Sequence, residues 1–213
     1  METLRNATSD FDQFLQSLRS CTLCRDNPRY RPPLPHEPRP VIQAAPDARI
    51  CIVGQAPGVR VNISGIPFTD PSGTRLRQWL GIDEQTLHDA RRIAIVPMGL
   101  CFPGNDAKGG DLPPRRECAE IWHAQVMSRV SQFELLLLIG QYAQKWHLDR
   151  KLTVGGVTGT VQRWREIYDS DSRGRIMPLP HPSWRNTGWV KRNPWFEREL
   201  IPTLRADIVE LLR

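Results

Sequence analysis

Arg49-Ile50-Cys51-Ile52-Val53-Gly54-Gln55-Ala56-Pro57-Gly58 is the stretch on which the architecture turns. A short apolar run that stops at a glycine is how a strand buried on both faces reads when it ends at a functional turn. The same shape returns at Arg92-Ile93-Ala94-Ile95-Val96, and again at Phe133 to Ile139, the most apolar run, which Gly140 closes. Thr158 to Trp164 and Arg175 to Leu179 read as two further strands.

Helical patterns fall between these runs. Phe11, Phe14, Leu15 and Leu18 stand at helical spacing behind Ser9 or Asp10 as an N-cap, which predicts a helix over Thr8 to Leu18 that ends by Cys21. After the first strand a loop to Gly73 precedes a helix through Leu80. Further helices are predicted over Arg115 to Val130, Tyr142 to Leu148 and Trp195 to Leu212. Strands that alternate with helices imply an α/β fold whose parallel or mixed sheet is covered on both faces. From Asn27 to Pro46 the repeated prolines exclude a helix interior and a central strand. That stretch reads as a surface connector, so residues 1–213 are read as a single domain.

Composition narrows the class. In 213 residues, 39% are hydrophobic and 24% charged, enough to bury one sizeable core and unlike a disordered, collagenous or coiled-coil chain. No window approaches the roughly 18 apolar residues of a membrane span. The Met1 to Gln16 segment has no apolar signal region, so a cytoplasmic protein with no membrane partner is expected. A formal charge of +6 favours anionic partners such as nucleic acid. Five cysteines, an odd number, argue against a disulfide framework and leave metal ligation, catalysis or burial open.

Two loops carry the chemistry. Gly54-Gln55-Ala56-Pro57-Gly58 follows the first strand, where open α/β sheets place ligand sites, and Gly65-Ile66-Pro67-Phe68-Thr69-Asp70-Pro71-Ser72-Gly73 follows it. A plain strand-to-helix turn is the alternative. Far downstream, Pro180-His181-Pro182-Ser183-Trp184-Arg185-Asn186 follows the last strand and holds an imidazole in a stiff loop. Trp189-Val190-Lys191-Arg192-Asn193-Pro194-Trp195-Phe196 interleaves bases and aromatics as a nucleic-acid surface would, or packs as the start of a helix.

This pair of motifs resembles the uracil-DNA glycosylase superfamily, in which a Gly-Gln/Glu-x-Pro turn closes one side of a base pocket and a His-Pro-Ser loop closes the other. The resemblance covers about residues 20 to 205. It implies a three-layer α/β/α sandwich around a central, mainly parallel sheet of four to five strands. Cys21-x-x-Cys24, with Cys101 and Cys118 further on, is similar to the ligand layout of the iron-sulfur (family 4 type) branch. The implied cofactor is a 4Fe-4S cluster on those four cysteines, with zinc or no metal as the alternatives, since both centres take four soft thiolates. Cys51, inside a buried strand, reads as a core residue.

The resemblance also implies roles. Phe68 is the platform on which an everted base stacks, with Ala56, Pro57 and Asn105 at the base site. His181 stabilises the departing base anion. Ser183, Trp184 and Arg185 meet the duplex, where Trp184 or Arg185 fills the gap, and Lys191 and Arg192 add DNA contacts. The chain departs from the family pattern at three places. Gln55 stands where the iron-sulfur branch has Glu, and Ala56 where the classical enzyme has Asp. A glutamine can position a water and cannot accept its proton, so Asp70 is the candidate water-activating residue, with a helix cap as its other reading. Pro97 stands where a base-reading Asn is typical, which leaves Asn105 or Asn62 as substitutes, or recognition through backbone groups.

The expectation is a monofunctional DNA glycosylase that removes uracil or a related deaminated base from DNA in base excision repair. Neither motif offers a lysine for lyase chemistry. The alternative is a glycosylase-fold protein that binds lesions without turnover. A zinc-ribbon module is disfavoured by the wide separation of the cysteine pairs. A monomer, associated with the nucleoid through its DNA, is expected.

Overall fold

The computed structural model describes residues 2–130, 133–168, 170 and 174–213, with the backbone alone for residues 2–9. Four strands form the sheet: β1 (Ile50–Val53), β2 (Ile93–Ile95), β3 (Leu135–Ile139) and β4 (Arg175–Leu179). Their order is β2-β1-β3-β4, and every pairing is parallel.

Why these runs lack polar alternation is plain from their surroundings. Cys51, Val53, Ala94, Leu136 and Leu138 pack into one layer with Phe11, Leu15, Leu18, Val126 and Ala143. Their strand neighbours Ile50, Ile52, Ile93, Leu135 and Leu137 pack into the other, with Leu76, Trp79, Val161, Phe196 and Leu204. Side chains alternate across each strand, and both faces are covered, so every position must be apolar. Fully burying one such side chain contributes about 1.5–3 kcal/mol. The result is the expected α/β/α sandwich, with four strands among the described residues.

The fifth strand, read at Thr158 to Trp164, is a correction. The chain there forms the helix Gly156–Gln162 and then the helix Trp164–Tyr168. Threonine and valine suggested a strand, yet Val161 and Trp164, three residues apart, are the positions that meet the core. Thr160 Oγ1 donates to the Gly156 carbonyl at 2.9 Å, and the Arg163 guanidinium ties down Val154 O at 3.0 Å. Tertiary packing overrides β-propensity here.

Smaller departures concern helix ends and loops. The first helix runs Glu2–Arg19, so neither Ser9 nor Asp10 caps it. The loop before Gly73 contains a helix, Val59–Ser64. The helix over residues 116–129 carries one π turn, Ala119–His123, and the last helix opens with another, Phe196–Leu200.

The proline-rich connector is a strap across the sheet edge. Gln43 exchanges two backbone hydrogen bonds with Ile95 on the outer strand β2, and its side-chain amide donates to Leu87 O and Ile93 O. Covering that edge leaves fewer unpaired backbone groups on offer to another chain. Arg115 holds the strap from below, donating to the carbonyls of Tyr30 and Pro32 while paired with buried Glu117.

The chain leaves β1 for β2 on one side and returns to β3 on the other. In open α/β sheets ligands bind where the strand order reverses in this way, at the C-terminal ends of the strands. The Gly54 turn springs from that point.

Candidate active site

Pairing between β1 and β2 continues past both strands into the turn. Met98 N–H donates to Gly54 O and Gly99 N–H to Gln55 O, each at 2.9 Å. These two bonds tie the turn to the chain that follows β2. The turn forms one wall of a pocket whose other walls carry Phe68, Asp70, Asp111 and His181.

Phe68 is placed by strain and close packing. Its φ is +54°, a left-handed conformation costing a non-glycine residue about 1–2 kcal/mol. Such a residue persists where its surroundings over-determine it. Here Gly73 supplies the space. A Cβ on Gly73 would stand 1.7 Å from the Phe68 carbonyl oxygen, so only glycine lets the loop close onto the helix Pro71–Leu80. His88 Nε2 bonds Pro67 O at 2.9 Å and holds the loop from outside. The tip of the Phe68 ring lies 3.8 Å from where a Gly54 side chain would begin, so the half-buried ring covers the turn.

His181 comes from the opposite side. The buried Gln144 amide donates to Leu179 O at 3.0 Å and fixes the end of β4, from which Pro180 and Pro182 carry the histidine. Ser183 N–H donates to His181 Nδ1 at 3.2 Å, and the Asn186 amide donates to His181 O at 2.7 Å. Arg75, on the helix that seats Phe68, reaches Ser183 O at 2.9 Å and Thr187 Oγ1 at 2.8 Å. One helix thus anchors both loops. Burial pushes the His181 pKa down, and Asp70 and Asp111 pull the other way. With Nδ1 accepting a hydrogen bond, a neutral ring carries its proton on Nε2.

The two carboxylates differ. Asp70 is half-buried at the N-terminus of its helix, but its side chain accepts no backbone N–H; it takes the Ser72 hydroxyl on Oδ1 at 2.6 Å. It is a pocket residue, whatever it does for the helix. Asp111 is exposed and was not singled out from the sequence. The Gly-Asn-Asp and Gly-Gly-Asp stretches around it read as turn chemistry, and only closure of residues 104–112 into a hairpin brings Asp111 to the pocket. That hairpin is held by Leu112 N–H to Gly104 O and Asp106 N–H to Gly110 O.

Of the predicted base-site residues, Ala56, Pro57 and Phe68 line the pocket, together with the predicted catalytic residues Gln55, Asp70 and His181. Asn105 does not: it is exposed and its amide donates to Asp111 Oδ1 at 3.2 Å, behind the wall. Asn62 also lies outside the pocket lining, its side-chain oxygen buried without a partner. Ser183 accepts Arg185 N–H and starts a turn that leaves Trp184 72% exposed, with the Arg185 guanidinium 6.0 Å from its ring. Lys191 and Arg192 are exposed nearby. Of the aromatics interleaved with them, Phe196 is fully buried, 4.9 Å from Trp79 and 5.5 Å from Trp189 between ring centres, while Trp189 and Trp195 are half-buried against the core.

The five cysteines are all free thiols. Cys51 is enclosed in β1, and burial alone pushes its thiol up to about 12. Cys21, Cys24, Cys101 and Cys118 lie near enough that each of the last three is raised electrostatically by others of the set, after burial as the main cause. Cys24 is pushed up to about 11 and Cys101 to about 12. Trp122 Nε1–H donates to Cys21 Sγ at 3.3 Å and Leu100 N–H to Cys118 Sγ at 3.2 Å. A clustered set of soft donors with N–H groups aimed at sulfur suits a thiolate-bound centre in chemistry. As the side chains stand, no group of three or more His, Cys, Asp or Glu among the described residues could hold a metal ion.

Fold and pocket together define an α/β protein with a ligand site at the C-terminal ends of its parallel strands. A model of the uracil DNA glycosylase superfamily matches residues 42–205, and the chain belongs to that superfamily. Membership supports a glycosylase-type function, and members of the superfamily act on DNA. No helix among the described residues is long and apolar enough to cross a membrane.

Proposed function

We propose that the chain is a monofunctional DNA glycosylase that hydrolyses the bond between deoxyribose and uracil, or a related deaminated base, leaving an abasic site. The observation that carries this reading is the presence of Phe68, His181 and Asp70 on the walls of one pocket. An everted base stacks on Phe68, which offsets part of the few kcal/mol that unstacking costs. As the C1′–N bond breaks, the electron pair goes to the base, and the Nε2–H of neutral His181 donates to the carbonyl oxygen where the charge collects. Asp70, with one oxygen held by Ser72, has the other for a water, which the Gln55 amide helps to place. Exposed Trp184 is the residue suited to enter the duplex, with Arg185, Lys191 and Arg192 on the phosphates.

Four clustered cysteines support a resident 4Fe-4S centre on Cys21, Cys24, Cys101 and Cys118, with zinc as the other centre that this donor set takes. Its place would be structural, tying the strap to the helix over residues 116–129. The hydrolysis draws no chemistry from it.

Product analysis on oligonucleotides with one uracil, hypoxanthine or xanthine, single- and double-stranded, tests the activity. The expected product is an abasic site from at least one of them, lost in His181→Ala and Asp70→Asn. Tight lesion binding with no abasic product would instead support the binding-only reading that Gln55 suggests.

A further inference from the structure

The pocket holds a second carboxylate for which the reading above has no use. Asp111 sits at the pocket wall on the hairpin over residues 104–112, and three features make it a placed group. Its Oδ1 accepts the Asn105 amide at 3.2 Å. Its Oδ2 turns toward the Gly54 to Gly58 turn, 3.6 Å from where a Cβ on Gly58 would stand. The hairpin beyond it is fixed by Asp106, whose Oδ1 accepts both Lys108 N–H at 2.8 Å and Gly110 N–H at 2.9 Å. Depth separates the two acids, since Asp70 is half-buried while Asp111 is exposed.

A base enters such a pocket first and leaves its sugar at the mouth. The group at the mouth therefore faces the deoxyribose, whose C1′ gains positive charge as the glycosidic bond lengthens. We infer that Asp111 is a second catalytic residue, the carboxylate that stabilises the cationic deoxyribose in the transition state, with Asn105 as its positioning residue. This rests on the glycosylase reading and divides its labour: Asp70 handles the water, His181 the departing base, and Asp111 the sugar. The same negative charge repels the DNA phosphates of the ground state, so the residue favours the transition state while weakening binding of the intact substrate.

The test compares the whole protein with Asp111→Asn, Asp111→Glu and Asn105→Ala. Two readouts are taken: excision kinetics, and binding of oligonucleotides carrying a cationic pyrrolidine or a neutral tetrahydrofuran abasic analogue. In Asp111→Asn kcat is expected to fall at least about tenfold, less than the roughly 10²- to 10³-fold that one enclosed electrostatic contact supplies, because the site is open to solvent. DNA binding is expected to be no weaker, and the preference for the cationic over the neutral analogue to vanish. Asp111→Glu restores part of that preference, and Asn105→Ala loses part of it. An undiminished cationic preference in Asp111→Asn overturns the assignment even where kcat falls, because a merely structural defect weakens both analogues alike. A wild-type protein that excises no base and favours neither analogue overturns the glycosylase reading itself.

Discussion

The carbonyl oxygen of Phe68 occupies the space that a side chain on Gly73 would need, with only 1.7 Å between that oxygen and an ideal Cβ. The obstacle is backbone and cannot rotate away. Gly73→Ala therefore has to push Phe68 out of its φ of +54° and off the pocket wall. The expected outcome is a loss of roughly 1–3 kcal/mol, as for other overpacking changes, with excision reduced at least tenfold. Gly140→Ala is the control: φ is +79° but no atom lies within 4 Å, so the cost is strain alone, about 1–2 kcal/mol. Thermal unfolding and excision rates separate the two.

His181 is held below its ordinary pKa of 6.5 by burial, against the pull of Asp70 and Asp111. Removing either charge, in Asp70→Asn or Asp111→Asn, should lower the pKa further. Nitrogen-detected NMR titration of the imidazole reads this directly. It should also show Nδ1 unprotonated and Nε2 protonated at neutral pH, the state in which the ring can donate to a leaving base. A rise in pKa in either variant would contradict the placement of the carboxylates.

A second buried histidine governs acid stability. His123 is 2% exposed, with Nε2 2.8 Å from His147 Nε2, and burial pushes its pKa down from 6.5 to about 3. In the unfolded chain it titrates at its ordinary value. Between those two values the unfolded state holds a proton that the folded state does not, so stability is lost as pH falls from about 6.5 toward 3. Each pH unit across that window costs up to about 1.4 kcal/mol. His123→Leu should flatten the fall in Tm between pH 6.5 and 4.5 relative to wild type, whatever it does to Tm at pH 7.5.

Arg75 joins the helix beneath Phe68 to the His181 loop through Ser183 O and Thr187 Oγ1. Arg75→Ala should leave the sheet intact and loosen that loop. We expect a kcat loss of about tenfold, a stability loss of about 1–3 kcal/mol for the orphaned partners, and faster amide exchange confined to residues 181–188. Arg75→Lys should not restore activity, since an ammonium cannot span both acceptors as a planar fork does.

For the thiols, protein purified without air should carry about four irons per chain if the centre is 4Fe-4S, or one zinc if it is tetrahedral zinc. Replacing Cys21, Cys24, Cys101 or Cys118 with serine should abolish metal content. Cys51→Ala should retain it, and costs only packing in the sheet. Metal analysis alongside Tm decides between the outcomes.

What the sequence made legible follows physical rules of different reach. Strands β1 to β3 were readable because burial on both faces demands unbroken apolar runs, and the two loops because prolines and glycines fix conformation locally. Thr158 to Trp164 was misread because β-branched residues speak locally for a strand, while Val161 and Trp164 answer to a core that only the tertiary fold supplies. Asp111 was missed for a related reason. Its place in the pocket depends on hairpin closure between residues distant from the first turn, and an aspartate after two glycines carries no sign of what it will face. Arg75 and Gln144 act through carbonyls on other elements, which no spacing within the chain reveals.

One short segment runs from Asp111 on the pocket wall to Cys118 among the thiols, and Arg115 between them grips the strap. Pro114 is wedged against Gly99, where a Cβ would stand 2.9 Å away. Such a segment has little slack. On the proposed reading, a shift at its sulfur end is expected to reach the pocket wall as a change of alignment, so the cysteine variants should lose turnover before they lose Tm.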